Sequence, residues 1–480
     1  MAETSDAGAG GGSSVLRDAL ITVATRLGLA VLILATDVAI ARLLGPAAKG
    51  RFTLVLLFGQ LAALALGLGL DRALGVVAAR SKDVARRGFA NAILWVALVG
   101  GFGVLASLAL YGVPGTGAAR GPLTALIPNL STQQFLFGAL AVPGELFFAI
   151  GLIGLLGRRR VLAYNAIRLL RRGVLLLVVI ATAAAARLSL DVALLVNLLA
   201  LAVSAGAICF VAARERVLGI VPSLPLLGEQ LRYGTRSMPG ALAERLQFRA
   251  DAFLLNFLLG VSATGVYSVA SGLAETLWYI PNALGVVMFS RAVGPGSGAA
   301  RVASVMTRAT LAVALALALP IALLAPWLVE VVYGPAFRPA GVALQILLPG
   351  IVAYSVVAIL SNYVLGKGAP GLNTLVFLAG LSVNLIANWL LIPVLGINGA
   401  AAASSLSYGI TAVLTLIAFS RLSGQGWRET LLLRRSDLAA VGSAGQALRD
   451  RLAGRPASPA IRDEAEAELI LHEHEPGEER

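Results

Sequence analysis

Apolar residues run along this chain in long, nearly uncharged stretches, broken by short clusters of glycine, proline and basic residues. The stretches 89–113 and 309–329 each exceed the roughly 20 residues that a helix needs to cross a bilayer. The pattern predicts twelve helices, at 19–44, 52–79, 88–112, 133–156, 161–186, 188–212, 236–259, 264–292, 302–325, 339–366, 370–394 and 398–421. Turn formers separate them: Gly45-Pro46, Gly334-Pro335, Gly368-Ala369-Pro370 and Gly396-Ile397-Asn398-Gly399. Only helices and closed barrels satisfy their backbone in lipid, and these runs are too long and too little alternating for barrel strands. The expected fold class is therefore an all-α polytopic membrane protein with twelve transmembrane helices.

Basic residues orient such a chain, because Lys and Arg collect in cytoplasmic loops. One set of predicted loops and helix ends carries twenty-two of them, including Arg80, Lys82, Arg86, Arg87, the run from Arg158 to Arg172, Arg214, Arg216, Arg291 and Arg301. The opposite set carries five: Lys49, Arg51, Arg120, Arg187 and Arg338. Both termini are expected in the cytoplasm and the protein in the plasma (inner) membrane. The cluster from Arg158 to Arg172 has two readings, a topology signal or a patch that gathers anionic headgroups.

A short phrase occurs twice. LLGPAAKGRFTL at 43–54 returns as LLGVSATGVYSV at 258–269, with Gly45 and Gly50 becoming Gly260 and Gly265 at a constant offset of 215 residues. Gln60 and Glu275 keep the same offset. Each copy closes the first helix of a six-helix half and opens the second. Six is even, so both halves enter the membrane in the same direction, as a parallel pseudo-repeat of two six-helix lobes. The expected organisation is a cytoplasmic tail (1–18), an N-terminal lobe (19–212), a cytoplasmic linker (213–235), a C-terminal lobe (236–424) and a polar, partly disordered cytoplasmic tail (425–480).

Composition supports this picture and excludes others. The 480 residues are 58% hydrophobic and 13% charged, with a mean hydropathy of +0.85, far from a soluble domain. The net charge of +13 does not imply nucleic acid, because the basic residues flank apolar runs instead of forming a soluble basic domain. The single cysteine, Cys209, excludes an intramolecular disulfide. Walker A, HExxH and GxSxG motifs and Cys/His clusters are absent, and His472 and His474 stand in the acidic tail. No enzyme, metal site or cofactor is expected.

Charge inside the apolar runs carries the candidate chemistry. A charged side chain at a helix centre costs about 2.5–3.5 kcal/mol, so it faces protein or water. Helix 7 holds Glu244, Arg245, Arg249 and Asp251, and on a straight helix Arg245 and Arg249 fall one turn apart and repel. Its charges either join a salt-bridge network between helices or line a polar cavity. Helix 1 carries Arg26, Asp37 and Arg42. Helix 2 carries Asp71-Arg72, an anchor or a site. Helices 4 and 8 carry the lone acids Glu145 and Glu275, each either a neutral packing group or the carrier of a coupling proton.

Several motifs resemble the polysaccharide-exporter (O-antigen flippase) family of the multidrug/oligosaccharidyl-lipid/polysaccharide exporter superfamily. They are Ala41-Arg42-Leu43-Leu44-Gly45-Pro46, Gly67-Leu68-Gly69-Leu70, Gly265-Val266-Tyr267-Ser268-Val269-Ala270, Ile280-Pro281-Asn282, Tyr333-Gly334-Pro335-Ala336-Phe337 and the stretch 384–399. The likeness spans about residues 16–424. It implies two lobes around a central cavity, in which a polyprenyl-diphosphate-linked oligosaccharide crosses from the cytoplasmic to the outer leaflet by alternating access. Membrane lipids, a coupling proton or sodium ion and a polysaccharide polymerase or assembly proteins are the partners it implies. Guanidinium groups bind phosphate oxygens bidentately, so Arg245 and Arg249 lead the diphosphate candidates, followed by Arg26, Arg42 and Arg72. Asp37, Asp71, Glu145, Glu244, Asp251 and Glu275 are the candidate coupling or cavity acids. The alternative within the same fold is a cation-coupled multidrug antiporter, which prefers an acidic, aromatic cavity.

Overall fold

The computed structural model describes residues 9–112, 121–293 and 298–432, and helices joined by short loops make up those residues, with no strand among them. The helices are α1 (Ala9–Gly67), α2 (Leu70–Ala78), α3 (Lys82–Trp95), α4 (Gly101–Tyr111), α5 (Leu123–Leu126), α6 (Thr132–Gly157), α7 (Val161–Ala184), α8 (Leu190–Arg214), α9 (Leu224–Gln247), α10 (Ala250–Leu259), α11 (Val261–Glu275), α12 (Tyr279–Val293), α13 (Ala299–Tyr333), α14 (Pro339–Gly366), α15 (Pro370–Leu395), α16 (Ile397–Ser423) and α17 (Trp427–Leu431). A π-helical turn (Val96–Gly100) joins α3 to α4, and a 3-10 turn (Thr276–Trp278) joins α11 to α12.

These elements account for the twelve expected spans. α1 contains the first and most of the second, because Gly45 leaves helical geometry at φ 76°, ψ 176° and Pro46 restarts the chain, and α2 completes the second after a break at Leu68-Gly69. Spans 3, 7 and 8 are composites of α3–α4, α9–α10 and α11–α12. α9 begins at Leu224, inside the segment read as a linker, and continues into span 7 without a loop. Eight continuous helical segments among the described residues, α3–α4 counted as one, are long and apolar enough to cross a bilayer. The spans that fall short are α7, α9–α10 and α11–α12, and each of them carries charges that line the interior described below. Large apolar side chains such as Leu98, Phe102, Leu319 and Leu323 stay on the outside of the bundle, as lipid solvation requires.

The repeated phrase explains how the halves meet. Gly260 adopts φ 90°, ψ 178°, nearly the conformation of Gly45, and positive φ of this kind is open to glycine and strained for other residues. A Cβ at Gly50 would lie 1.8 Å from the Val261 carbonyl oxygen, and one at Gly265 would lie 1.9 Å from the Pro46 oxygen. Pro46 and Val261 are themselves 215 residues apart, so the contact is reciprocal about a two-fold relation. Thr53 Oγ1 donates to Ser268 Oγ across the same seam at 3.4 Å. Asn256 Nδ2, beside it, donates to the Pro128 carbonyl at 2.8 Å. The C-terminal half packs around one continuous apolar core centred on α14, whereas the N-terminal half divides its core between two main clusters.

Candidate functional site

Charged side chains of both halves converge on two adjoining cavities inside the bundle. The larger, about 480 Å³, is lined by Arg168, Arg171, Arg172, Arg245 and Arg249 together with Asp71 and Glu145. The smaller, about 290 Å³, is lined by Asp37, Lys49, Asp251, Glu275, Tyr279 and Tyr333. Ile33, Leu57, Gln60, Arg172 and Arg249 border both, which places two guanidinium groups at the waist of one polar tract.

Two arginines are held fork to fork. Arg171 donates from Nη1 to Glu145 Oε2 at 2.9 Å and from Nη2 to Glu145 Oε1 at 2.5 Å. The Phe148 ring lies 4.5 Å from its guanidinium carbon. Arg249 donates from Nη1 and Nη2 to the two oxygens of Glu275 at 2.6 and 2.7 Å. The first pair is 8% and 9% exposed, the second 23% and 24%. Arg168, Arg172 and Arg245 make no ion pair among the described residues. Arg168 lies over the Tyr164 ring, 5.3 Å from its centroid, and Arg245 is exposed on the cavity wall.

Span 7 departs from the straight helix read from the sequence. α9 ends at Gln247, whose Nε2 donates to Ser407 Oγ at 2.6 Å and Thr411 Oγ1 at 2.7 Å. Arg249 sits between the helices at φ −130°, ψ −14°, and α10 restarts with Asp251 accepting from the Ala252 amide at 2.7 Å. The interruption turns Arg249 toward Glu275 on α11, so Arg245 and Arg249 are not one-turn neighbours on a single helix face. Arg249 thereby gains a cross-helix ion pair while it stays on the same cavity wall as Arg245.

The other candidates lie in different environments. Asp251 is buried, accepting from Tyr267 Oη at 2.6 Å and Ser404 Oγ at 3.2 Å. Asp37 accepts from Lys49 Nζ at 2.5 Å, clasping the two parts of α1 across the Gly45 break. Asp71 borders the larger cavity. Glu244 accepts from Tyr354 Oη at 3.0 Å and lines a separate cavity of about 200 Å³ with Arg72 and Arg236. Arg42 lies outside the two central cavities, where its Nε donates to the Val332 carbonyl at 2.7 Å and its Nη2 to that of Val331, tying α1 to the end of α13. The side chain of Arg26 and the tail with His472 and His474 lie outside the described residues. Among the described residues no three His, Cys, Asp or Glu side chains group to hold a metal.

Sequence reasoning missed four cavity residues. Charge patterning places Arg168, Arg171 and Arg172 with the basic loops, yet α7 carries them two turns and more inside its start. Their i, i+3, i+4 spacing was the available signal, since it sets all three on one helix face. Lys49, which charge patterning places with the opposite loops, is 4% exposed within α1.

No family model matches the chain. An uncharacterized membrane protein of Methanocaldococcus jannaschii is 27% identical over 216 residues, which is 44% of this chain and 42% of that protein's length. Among solved structures, the lipid II flippase MurJ in an inward closed conformation superposes with a TM-score of 0.67 at 12% identity, over 85% of this chain and 90% of that one. An inward-facing multidrug resistance MATE family transporter of the MOP superfamily gives a TM-score of 0.58 at 18% identity, over 83% and 98%. The chain therefore shares the polytopic helical fold of these two solved transport proteins.

Proposed function

We propose that the chain flips a polyprenyl-diphosphate-linked oligosaccharide from the cytoplasmic to the outer leaflet of the plasma membrane in cell-surface polysaccharide biosynthesis. The observation that carries this reading is the set of five arginines from both halves on one cavity, with three of them in no ion pair among the described residues. Cations kept from lipid at this cost need an anion, and a diphosphate offers oxygens that match planar guanidinium groups. The sugars would cross in the polar tract while the lipid tail stays in the bilayer. Both termini lie in the cytoplasm in this scheme, on the strength of the basic-residue asymmetry. The Gly50–Gly265 seam then closes the outer end, and alternating access requires it to part.

Deleting the gene should make a lipid-linked sugar precursor accumulate on the cytoplasmic side, and the purified chain should translocate that precursor in vesicles. An unchanged precursor pool and inactive vesicles would refute the assignment. A cation-coupled multidrug antiporter is the second reading, favoured by Asp37, Asp251 and Glu275 around the smaller cavity. It predicts gradient-driven efflux of cationic dyes from the same vesicles, which the flippase reading does not.

A further inference from the structure

We propose that Arg172 and Arg245 are the two residues that take the phosphate oxygens, one from each half, and that Arg171 and Arg249 are positioning residues that shape the walls without touching the ligand. The inference rests on the flippase reading and divides its five arginines by what their hydrogen-bonding edges already do. A guanidinium engages a carboxylate or a phosphate through the same planar fork. Arg171 and Arg249 have each committed two terminal nitrogens to both oxygens of a glutamate. An incoming phosphate would have to displace that carboxylate and leave it unpaired in a low-dielectric wall, which is costly.

Arg172 and Arg245 make no ion pair among the described residues, and Glu244, next to Arg245 in the chain, accepts from Tyr354 Oη at 3.0 Å. Glu145, the acid beside Arg172, has both oxygens on Arg171, and Glu275 has both on Arg249. Arg172 also borders both cavities, so it stands where a headgroup passes from the larger to the smaller. Arg168 stacks over the Tyr164 ring, 5.3 Å from its centroid. Arg172 belongs to α7 and Arg245 to α9. An anion held by both therefore bridges the halves and draws their inner walls together, an interaction that each lobe alone cannot supply.

Binding of farnesyl diphosphate and of inorganic pyrophosphate to the purified full-length chain, read together with its melting temperature, tests this. Arg172→Gln and Arg245→Gln should each weaken farnesyl diphosphate binding about tenfold or more, as loss of a charged hydrogen bond does, with melting unchanged. Arg249→Gln should lower the melting temperature, and the double variant Arg249→Gln/Glu275→Gln should recover it with near wild-type affinity. Wild-type affinity in Arg172→Gln beside lost affinity in Arg245→Gln would overturn the role of Arg172 and leave the flippase reading standing. Lost affinity in the stable double variant would make Arg249 a contact and overturn the division. A wild-type chain that binds neither probe would overturn both. Equal affinity for the two probes would retain the anion contact and remove the lipid from it.

Discussion

Each half of the molecule holds an arginine–glutamate fork, and in each the partners are 26 residues apart. The two are built differently. In the N-terminal half the acid precedes the base, both lie almost wholly buried, and an aromatic ring covers the guanidinium. In the C-terminal half the base comes first, at a break between helices, and the pair keeps about a quarter of its surface open to the cavity. Buried pairs lose nearly all hydration and must recover it from each other, so removing one partner is expensive. A pair on a wet wall recovers part of its hydration from water. The N-terminal fork is thus a structural tie between α6 and α7, and the C-terminal fork is a tie that also sets the shape of the waist.

The largest effect should come from breaking the drier fork. Arg171→Gln is expected to cost roughly 3–5 kcal/mol, the range for an orphaned buried charge, read as a fall in melting temperature in detergent. Adding Glu145→Gln should restore most of it. An Arg171→Gln protein as stable as the wild type would erase the contrast between the halves.

The seam tests the opposite expectation, because there the halves are alike. Gly50→Ala and Gly265→Ala should each destabilise the closed arrangement by about 1–3 kcal/mol, as overpacking does, since each Cβ would overlap a carbonyl oxygen. Spin-label distances between Ser262 and Ala340 should broaden to the same extent in both variants. Unequal responses would show that the two-fold relation stops at the backbone.

Arg249→Gln should cost less than Arg171→Gln, about 1–3 kcal/mol, because water reaches Glu275. Arg245→Gln should change stability by no more than about 0.5 kcal/mol while translocation of the lipid-linked sugar falls away. Equal losses for Arg171→Gln and Arg249→Gln would mean that exposure at the waist does not matter.

The smallest effect belongs to a pair outside the membrane-spanning segments. Arg80 Nη2 donates to Glu229 Oε1 at 2.6 Å, with both side chains about half exposed. That hydrogen bond holds the Glu229 carboxyl below its usual range, so its contribution is present above the unfolded carboxylate pKa and fades as pH falls through the lower folded value. Glu229→Gln should leave the melting temperature within error at neutral pH and flatten its acid limb slightly.

The helices were legible from the chain because lipid enforces them: every backbone group must be paired within a span, so apolar length and turn residues suffice. The repeat was legible for a related reason, since Gly45 and Gly260 need the same glycine conformation and Gly50 and Gly265 the same absence of a side chain. Charge was harder to place. Arg168, Arg171 and Arg172 share their composition with the cytoplasmic basic loops, and only their i, i+3, i+4 spacing sets them apart as one face of α7. Helix 7 misled in the other direction, because its pattern runs unbroken through Phe248 while Gln247 and Asp251 spend their hydrogen bonds on other groups and let the helix part. Sequence alone determined an all-helical, two-lobed membrane protein, since those features follow from residue type and short spacing. Which arginines are clamped and which face the cavity was decided only by the tertiary structure, because Glu145 and Glu275 reach their partners from neighbouring helices, at separations that no local pattern encodes.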